Sequence, residues 1–172
     1  VRKLIVPADI TFAQLHKILQ AAFEWQDYHL FDFAVYANET DDEPVETLVL
    51  DEEDLSYREE ARLMGGIPIS KYLPQHRYLL YTYDFGDNWK HVIEVTGVME
   101  AYEGDAPICV SGEGNAPPED VGGDYGYENF LEIMADPEHE EYEDTKLWSE
   151  GQKYRAFDLE AVNRTIRWTL RW

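Results

Sequence analysis

Three side chains that could bind a metal or transfer a proton lie close together in one predicted hairpin. Asp84, Asp87 and His91 fall within the segment YTYDFGDNWKHVIEV. If Asp87 and Asn88 form a two-residue turn, Asp84 lies opposite His91, with roughly 5 Å between their Cβ atoms. The carboxylate would then favour the imidazolium and orient its ring. Two aspartates and a histidine could ligate a divalent cation or form an acid–base pair.

The hairpin also has a purely structural interpretation, and it has two possible registers. Asp84 could close the turn and pair with His91 only to fix the strand register. A turn at Gly86 and Asp87 would instead place Asp84 opposite Trp89. Both alternatives stay open, because a side-chain period of two makes a slip of one residue turn the carboxylate to the other face of the sheet.

A second group of carboxylates lies in the glycine-rich segment GEGNAPPEDVGGD, residues 112–124. Glycine-rich sequence before a helix often binds phosphate through free backbone N–H groups. Here Glu119, Asp120 and Asp124 would repel an anion. The segment is therefore interpreted either as an acidic turn that caps the next helix or as part of a cation site.

Two histidines near the first predicted helix need separate consideration. His29, in the segment WQDYH, is a further candidate ligand beside the hairpin and loop carboxylates. A single histidine among aromatic residues is more often a packing residue, and that alternative is kept. His16 lies at helical spacing from Phe12 and Leu19, so it is predicted to pack at the boundary of the core.

The charge of the chain limits the classes of partner. The 172 residues carry 14 Lys+Arg against 36 Asp+Glu, a formal net charge of −22. Such a surface repels phosphate backbones at long range and favours basic partners, cations or solubility. The one basic element is the last helix, with Arg164, Arg167 and Arg171. Glu160 lies one helical turn before Arg164, so these arginines are expected to pair with carboxylates of the protein rather than to bind nucleic acid.

Other bulk features point to a cytoplasmic protein. The single Cys109 excludes an internal disulfide framework and is predicted to be a small buried residue. No apolar run approaches the roughly 18 residues that a membrane span needs, and no charged-then-apolar signal segment opens the chain. The sequence therefore predicts no membrane association.

The elements that must position these side chains can be read along the chain. The patterns predict the following: a strand over 1–6, a helix from the Thr11–Gln14 capping box to about Trp25, strands over 28–37 and 45–50, a helix over 51–64, one turn from Ser70, hairpin strands over 78–85 and 89–98, irregular chain over 101–124, a helix over 125–135 capped by Asp124, a helix from Asp136 to about Lys146, and a last helix capped by Asp158. Strands and helices do not alternate as βαβ units. We therefore expect one α+β domain over 1–172, with a mixed, mainly antiparallel sheet and a central hairpin packed against several helices.

Several separated segments together resemble the plasmid pRiA4b Orf-like family, described as passengers of mobile elements. They are the following: Val6-Pro7-Ala8, Thr11-Phe12 and Leu15-His16; Trp25, Tyr28-His29-Leu30 and Phe33; Tyr81, the run from Tyr83 to Trp89, and His91; Pro117 to Asp120, Gly122-Gly123 and Gly126-Tyr127; Asp136 to His139, and Trp148. The resemblance implies a compact α+β domain from bacteria or archaea. It implies no reaction, although the link to mobile elements favours a DNA-associated role.

The chain departs from the family pattern in three places. The family usually has Trp where Val1 stands, with a further strand before it, so we expect an open or covered sheet edge and a homodimer as one arrangement this allows. The family often has a second histidine where Phe31 stands, so a metal site that needs both would be incomplete. Its frequent cysteines near the Pro-Pro-Glu-Asp segment are replaced by Ala116 and Val121.

Three functional hypotheses follow from these observations. The leading one is a non-catalytic binding or interaction module for a protein or small ligand, since no complete catalytic constellation is visible. The second is a metal-dependent hydrolase in which Asp84, Asp87 and His91 face the acidic loop across a cleft, with a divalent cation as cofactor. The third is a mobile-element accessory that contacts DNA through the arginines of the last helix.

Overall fold

The computed structural model describes residues 1–56 and 60–169. The strands are β1 (Arg2–Ile5), β2 (Phe31–Tyr36), β3 (Glu46–Val49), β4 (Arg62–Leu63), β5 (Tyr78–Tyr83), β6 (Trp89–Glu94) and β7 (Ile108–Gly112). The helices are α1 (Phe12–Phe23), α2 (Glu52–Leu55), α3 (Gly123–Ala135), α4 (Tyr142–Gly151) and α5 (Leu159–Thr169), with a 3-10 turn at Ile69–Lys71.

The strands form two sheets. The larger has five strands in the order β4-β3-β2-β5-β6, and the smaller pairs β1 with β7. All neighbours are antiparallel except β3 and β4, which run parallel. The predicted α+β class with a mixed, mainly antiparallel sheet is therefore confirmed. Within the described part of the chain, no helix has the length and apolar character needed to cross a membrane.

Helix α1 covers one face of the larger sheet and forms the main core. Its apolar stripe includes Phe12 and Ile18, both without solvent exposure, and the ring of Phe12 meets the ring of Phe33 on β2 edge-on at 5.3 Å. The predicted capping box begins this helix: the Thr11 hydroxyl accepts from Gln14 N, and the Gln14 side chain accepts from Thr11 N. The stripe and the cap together fix how α1 lies on the sheet.

A smaller core joins α1 to β7 and α5. Its buried members are Ala21, Ala22, Cys109, Val162 and Ile166, so the prediction for Cys109 is correct. The side chain of Asn163 accepts from Cys109 N and donates to Cys109 O, both at 2.8 Å, which fastens α5 to the strand. Asp158 caps α5 as predicted, through Ala161 N at 2.9 Å.

Four element predictions were wrong. Among the described residues of the predicted helix over 51–64, only Glu52–Leu55 is helical, and Arg62–Leu63 is a strand that pairs with β3. The irregular stretch 101–124 contains β7, whose partner β1 lies about a hundred residues away in sequence. Asp124 does not cap α3, because the cap is Gly122 at φ 94° and Asp124 lies inside the first turn. Helix α4 begins at Tyr142, rather than at Pro137 after a cap at Asp136.

Candidate functional site

The hairpin has neither of the two registers considered from sequence. Tyr81 lies opposite His91 and Tyr83 lies opposite Trp89, so Asp84 falls in the turn and does not face His91. The ring of His91 instead packs against Phe23, at 4.5 Å between centroids, and against Trp25 and Tyr81. His91 is therefore an aromatic packing residue, and the predicted Asp84–His91 pair is wrong.

Asp84 nonetheless presents a carboxylate oxygen to a cluster. Its backbone is left-handed, at φ 56°, which is uncommon for a residue other than glycine. One oxygen, Oδ1, accepts from Gly86 N at 2.9 Å and Asp87 N at 3.3 Å, so it does close the turn. The second oxygen, Oδ2, lies 3.6 Å from His29 Nε2. The turn therefore holds one oxygen of Asp84 and leaves the other directed at His29.

Two further carboxylate contacts complete this cluster around His29. Asp120 Oδ1 lies 3.0 Å from His29 Nε2, and Glu119 Oε2 lies 3.9 Å from it. One ligand atom each from His29, Asp84 and Asp120 lies within 4.8 Å of the others. Asp120 is also left-handed, at φ 58°. Backbone of this kind is costly and is often found where a site holds a side chain in place.

The unusual feature of the cluster is His29 Nε2 itself. This atom is buried, and among the described residues no partner meets the geometry of a hydrogen bond with it, although Asp120 Oδ1 is only 3.0 Å away. A buried polar atom without a partner is costly and rare in folded proteins. His29 was predicted as a candidate ligand, with a packing role as the alternative, and in the structure its Nε2 lies close to carboxylates.

Glu119 anchors the acidic loop beneath the cluster. It is buried, and its Oε1 accepts from Gln26 N at 2.8 Å and from the hydroxyl of Tyr83 at 3.1 Å. Burial is the main cause that raises the pKa of Glu119 above its ordinary value. Close by, Trp25 Nε1 donates to Pro117 O at 2.9 Å. The loop that carries Asp120 is therefore fastened to the end of α1 and to β5.

A closed ring of hydrogen bonds fixes the segment that carries His29. Gln20 Nε2 donates to the hydroxyl of Tyr81 at 3.0 Å, and that hydroxyl lies 2.8 Å from His16 Nδ1. His16 Nε2 lies 2.7 Å from Asp27 Oδ1, and Asp27 N donates to Gln20 Oε1 at 2.9 Å. Since Gln20 Nε2 can only donate, the Tyr81 proton is left for His16 Nδ1, and neutral His16 then donates from Nε2 to Asp27. Asp27 is held in left-handed backbone, two residues before His29.

The other predicted site residues lie outside the cluster. Asp87 Oδ2 accepts from Gly122 N at 3.0 Å, which joins the hairpin tip to the start of α3. Asp124 is exposed in the first turn of that helix. Phe31, where the family often has a second histidine, stacks on His16 with 3.5 Å between ring centroids. Six residues were predicted for the hydrolase site. Asp84, Glu119 and Asp120 lie in the cluster around His29, whereas Asp87, His91 and Asp124 do not.

The predicted arginine face of the last helix is only partly described. Arg164 and Arg167 are exposed on α5, and Arg164 Nη1 lies 3.9 Å from Glu160 Oε2. Arg171 and the apolar Leu170 lie outside the described residues. Contact with nucleic acid through these three arginines stays a prediction.

The hydrogen-bonded ring is the feature that sequence reasoning missed. His16 was expected to pack at the boundary of the core, yet it is buried at the centre of a polar network. One signal was present in the sequence. Gln20 follows His16 by four residues on the same helix face, so two polar side chains share the apolar stripe and need buried partners.

Two buried histidines should make the protein less stable below neutral pH. Burial is the main cause that lowers the pKa of both His16 and His91. The folded chain therefore binds fewer protons than the unfolded chain below the unfolded pKa of about 6.5. The free energy of unfolding should fall as pH drops from about 6.5 towards the folded pKa values, by at most about 1.4 kcal/mol per pH unit for each histidine.

Urea unfolding between pH 5 and 7.5 measures this slope. We expect His91→Phe to unfold with a smaller slope than the wild-type protein, because one of the two histidines no longer titrates. Only the slopes are compared, since the substitution also changes packing. Equal slopes for the two proteins would contradict the assignment of His91 as a buried neutral group.

Comparison with known proteins places the chain in a family. Residues 1–165 match the family model described as plasmid pRiA4b ORF-3-like protein. The "Uncharacterized protein y4hQ" of Sinorhizobium fredii is 32% identical over 167 residues, which are 96% of this chain and 82% of that protein. The crystal structure of the protein of unknown function MM3350 from Methanosarcina mazei Go1 is 37% identical, covers 92% of this chain and 86% of that one, and superposes with a TM-score of 0.77. The chain therefore belongs to the plasmid pRiA4b ORF-3-like family.

Proposed function

We propose that this protein is a binding module that holds one divalent cation between His29, Asp84 and Asp120. The observation that carries the proposal is the buried His29 Nε2, which lacks a hydrogen-bond partner among the described residues and lies within 4 Å of three carboxylates. A cation among these groups would accept the nitrogen lone pair and offset the repulsion between the carboxylates. Both effects would stabilise the folded chain.

The donor set favours a borderline metal ion. One imidazole nitrogen and two carboxylate oxygens suit Zn²⁺ or Mn²⁺, whereas Ca²⁺ and Mg²⁺ prefer oxygen donors alone. Ligand atoms around a tetrahedral zinc ion lie roughly 3.3 Å apart. His29 Nε2 lies 3.0 Å from Asp120 Oδ1 and 3.6 Å from Asp84 Oδ2, which brackets that spacing. All three ligand atoms lie within 4.8 Å of one another, so the two carboxylates would close around the ion when it binds.

A calorimetric titration with ZnCl₂ and MnCl₂ tests the proposal. We expect saturable binding with one ion per chain, and His29→Ala and Asp84→Asn should each raise the Kd at least tenfold. Asp84→Asn is chosen because its side-chain oxygen can still accept from Gly86 N and Asp87 N, so the turn is kept. The matched control is Asp124→Asn, which removes one exposed negative charge and should change the Kd less than twofold.

The control matters because a chain of net charge −22 attracts cations without any built site. Equal effects of Asp84→Asn and Asp124→Asn would show diffuse attraction and overturn the proposal. Absence of saturable binding would also overturn it.

A metal-dependent hydrolase is the second candidate, and the exposure of the site favours it. The side chains of Asp120 and His29 are 55% and 27% exposed, so three protein ligands would leave a solvent-facing position for water. Hydrolysis that needs the ion and disappears in Asp84→Asn would favour this candidate over a non-catalytic module. We also propose, as expected from the sequence, that the protein is cytoplasmic and associated with mobile elements. The proposed cation site does not depend on either point.

A further inference from the structure

Strand β6 is the edge of the five-stranded sheet, and its backbone is available for pairing. Val95 N donates to Arg77 O, and Tyr81 faces His91, so the odd-numbered residues of β6 direct their backbone groups at β5. The backbone groups of Lys90, Val92 and Glu94 therefore point away from the sheet. Among the described residues, no hydrogen bond outside the β5–β6 ladder joins these groups.

The edge strand has no feature that prevents another strand from pairing with it. It contains six residues without proline or a register shift, and Val92, the middle one of the three residues whose backbone points outward, is 72% exposed. Lys90 and Glu94 flank Val92 at equal distances along the strand and are both exposed. A lysine on an edge strand usually discourages pairing. Here, however, the strand also carries a glutamate, Glu94, as far from Val92 on one side as Lys90 is on the other.

We propose that β6 pairs antiparallel with β6 of a second copy of this chain, about a two-fold axis at Val92. In that register Val92 lies opposite Val92 of the other copy, and Lys90 lies opposite Glu94 on both sides of the axis. All three pairs are hydrogen-bonded pairs, because they use the outward-facing backbone groups. The two sheets then form one sheet of ten strands.

Charge selects this register over its neighbours. An axis at Lys90 would place two lysines opposite each other, and an axis at Glu94 would place two glutamates opposite each other. Opposite charges directly across a strand pair stabilise it, and like charges destabilise it. The net charge of −22 opposes association, and one edge strand is a small contact beside the roughly 1,200 Å² of stable interfaces. The proposed dimer is therefore expected to be weak, so the experiment must trap it covalently.

Disulfide trapping tests for this dimer. It is done in about 0.15 M salt, where charges are screened beyond roughly 8 Å. Cα atoms of a hydrogen-bonded antiparallel pair lie about 5.5 Å apart, within disulfide range. Val92→Cys should therefore give a disulfide-linked dimer at least five times faster than Leu147→Cys, a control on α4 that is 70% exposed against 72% for Val92. The native Cys109 is buried and does not compete.

Charge exchange in the Val92→Cys background tests the register. Lys90→Glu and Glu94→Lys should each slow trapping at least threefold, because each creates two like-charged pairs. The double variant restores opposite charges at both pairs, so its rate should return to that of Val92→Cys alone. Trapping no faster than in Leu147→Cys would overturn the proposal. A double variant as slow as the single variants would overturn it as well.

Discussion

Replacing Gly126 with alanine should destabilise the protein by about 3 kcal/mol or more, because the new methyl group would collide with backbone. A Cβ at Gly126, in the first turns of α3, would lie 1.9 Å from Val121 O and 2.8 Å from Val121 C. Overpacking against side chains typically costs 1–3 kcal/mol, since side chains can rotate away. A carbonyl group can move only with its chain segment, so a larger cost is expected here.

The segment that would have to move carries Asp120, one of the three ligands of the proposed cation site. Val121 directly follows Glu119 and Asp120, and Glu119 is held by Gln26 N and the hydroxyl of Tyr83. Gly126→Ala should therefore also weaken binding of Zn²⁺ or Mn²⁺, because Asp120 would be displaced relative to His29. Close packing of α3 against Val121 thus gives this glycine a role that helix propensity alone would not predict.

Thermal and urea unfolding measure the effect, with Gly151→Ala as the matched control. Gly151 lies at the end of α4, and a Cβ there would meet no atom within 4 Å. We expect that variant to match the wild-type stability or exceed it slightly, since alanine restricts the unfolded chain more than glycine does. A Gly126→Ala protein with the wild-type melting temperature would show that α3 does not pack against Val121.

Local signals in the sequence predicted the elements whose stabilising contacts are also local. The Thr11–Gln14 capping box and the cap of Asp158 join residues three apart, and both are present. Strands β4 and β7 were missed because their stability comes from distant partners. β7 pairs with β1, and β4 is two residues long and adds to β3. Both strands are too short to show a recognisable period-two pattern in the sequence.

The hairpin explains why the site could be predicted only in part. Its strands were evident, but the turn residues Asp84 and Asn88 both adopt left-handed backbone, which shifts the register from the two that were considered. That shift separates Asp84 from His91 and directs it towards His29. The seven candidate ligands all come from the hairpin, the acidic loop or the segment after α1. Turn geometry, which the sequence leaves open, decided that His29, Asp84, Glu119 and Asp120 come together.

The hydrogen-bonded ring of Gln20, Tyr81, His16 and Asp27 should also contribute strongly to stability. The substitution Tyr81→Phe tests this, because it removes only the hydroxyl group of the ring. Tyr81 has no solvent exposure, and its hydroxyl links Gln20 Nε2 to His16 Nδ1. Removing that oxygen leaves one buried donor and one buried acceptor without partners, each at a cost of about 1–3 kcal/mol. We expect a loss of about 2–4 kcal/mol in the free energy of unfolding. Tyr125→Phe, at a residue 83% exposed, is the control and should change it by less than about 0.5 kcal/mol.

A double-mutant cycle distinguishes the ring from simple loss of a buried hydroxyl. If His16 and Tyr81 act through their mutual hydrogen bond, adding Tyr81→Phe to His16→Ala should cost less than adding it to the wild-type protein, with a coupling of about 0.5–3 kcal/mol. Additive losses would contradict the ring. The ring also holds Asp27 two residues before His29, so Tyr81→Phe should weaken binding of Zn²⁺ although Tyr81 touches no ligand atom of the site. Buried polar contacts on α1 would then determine the geometry of a site at the protein surface.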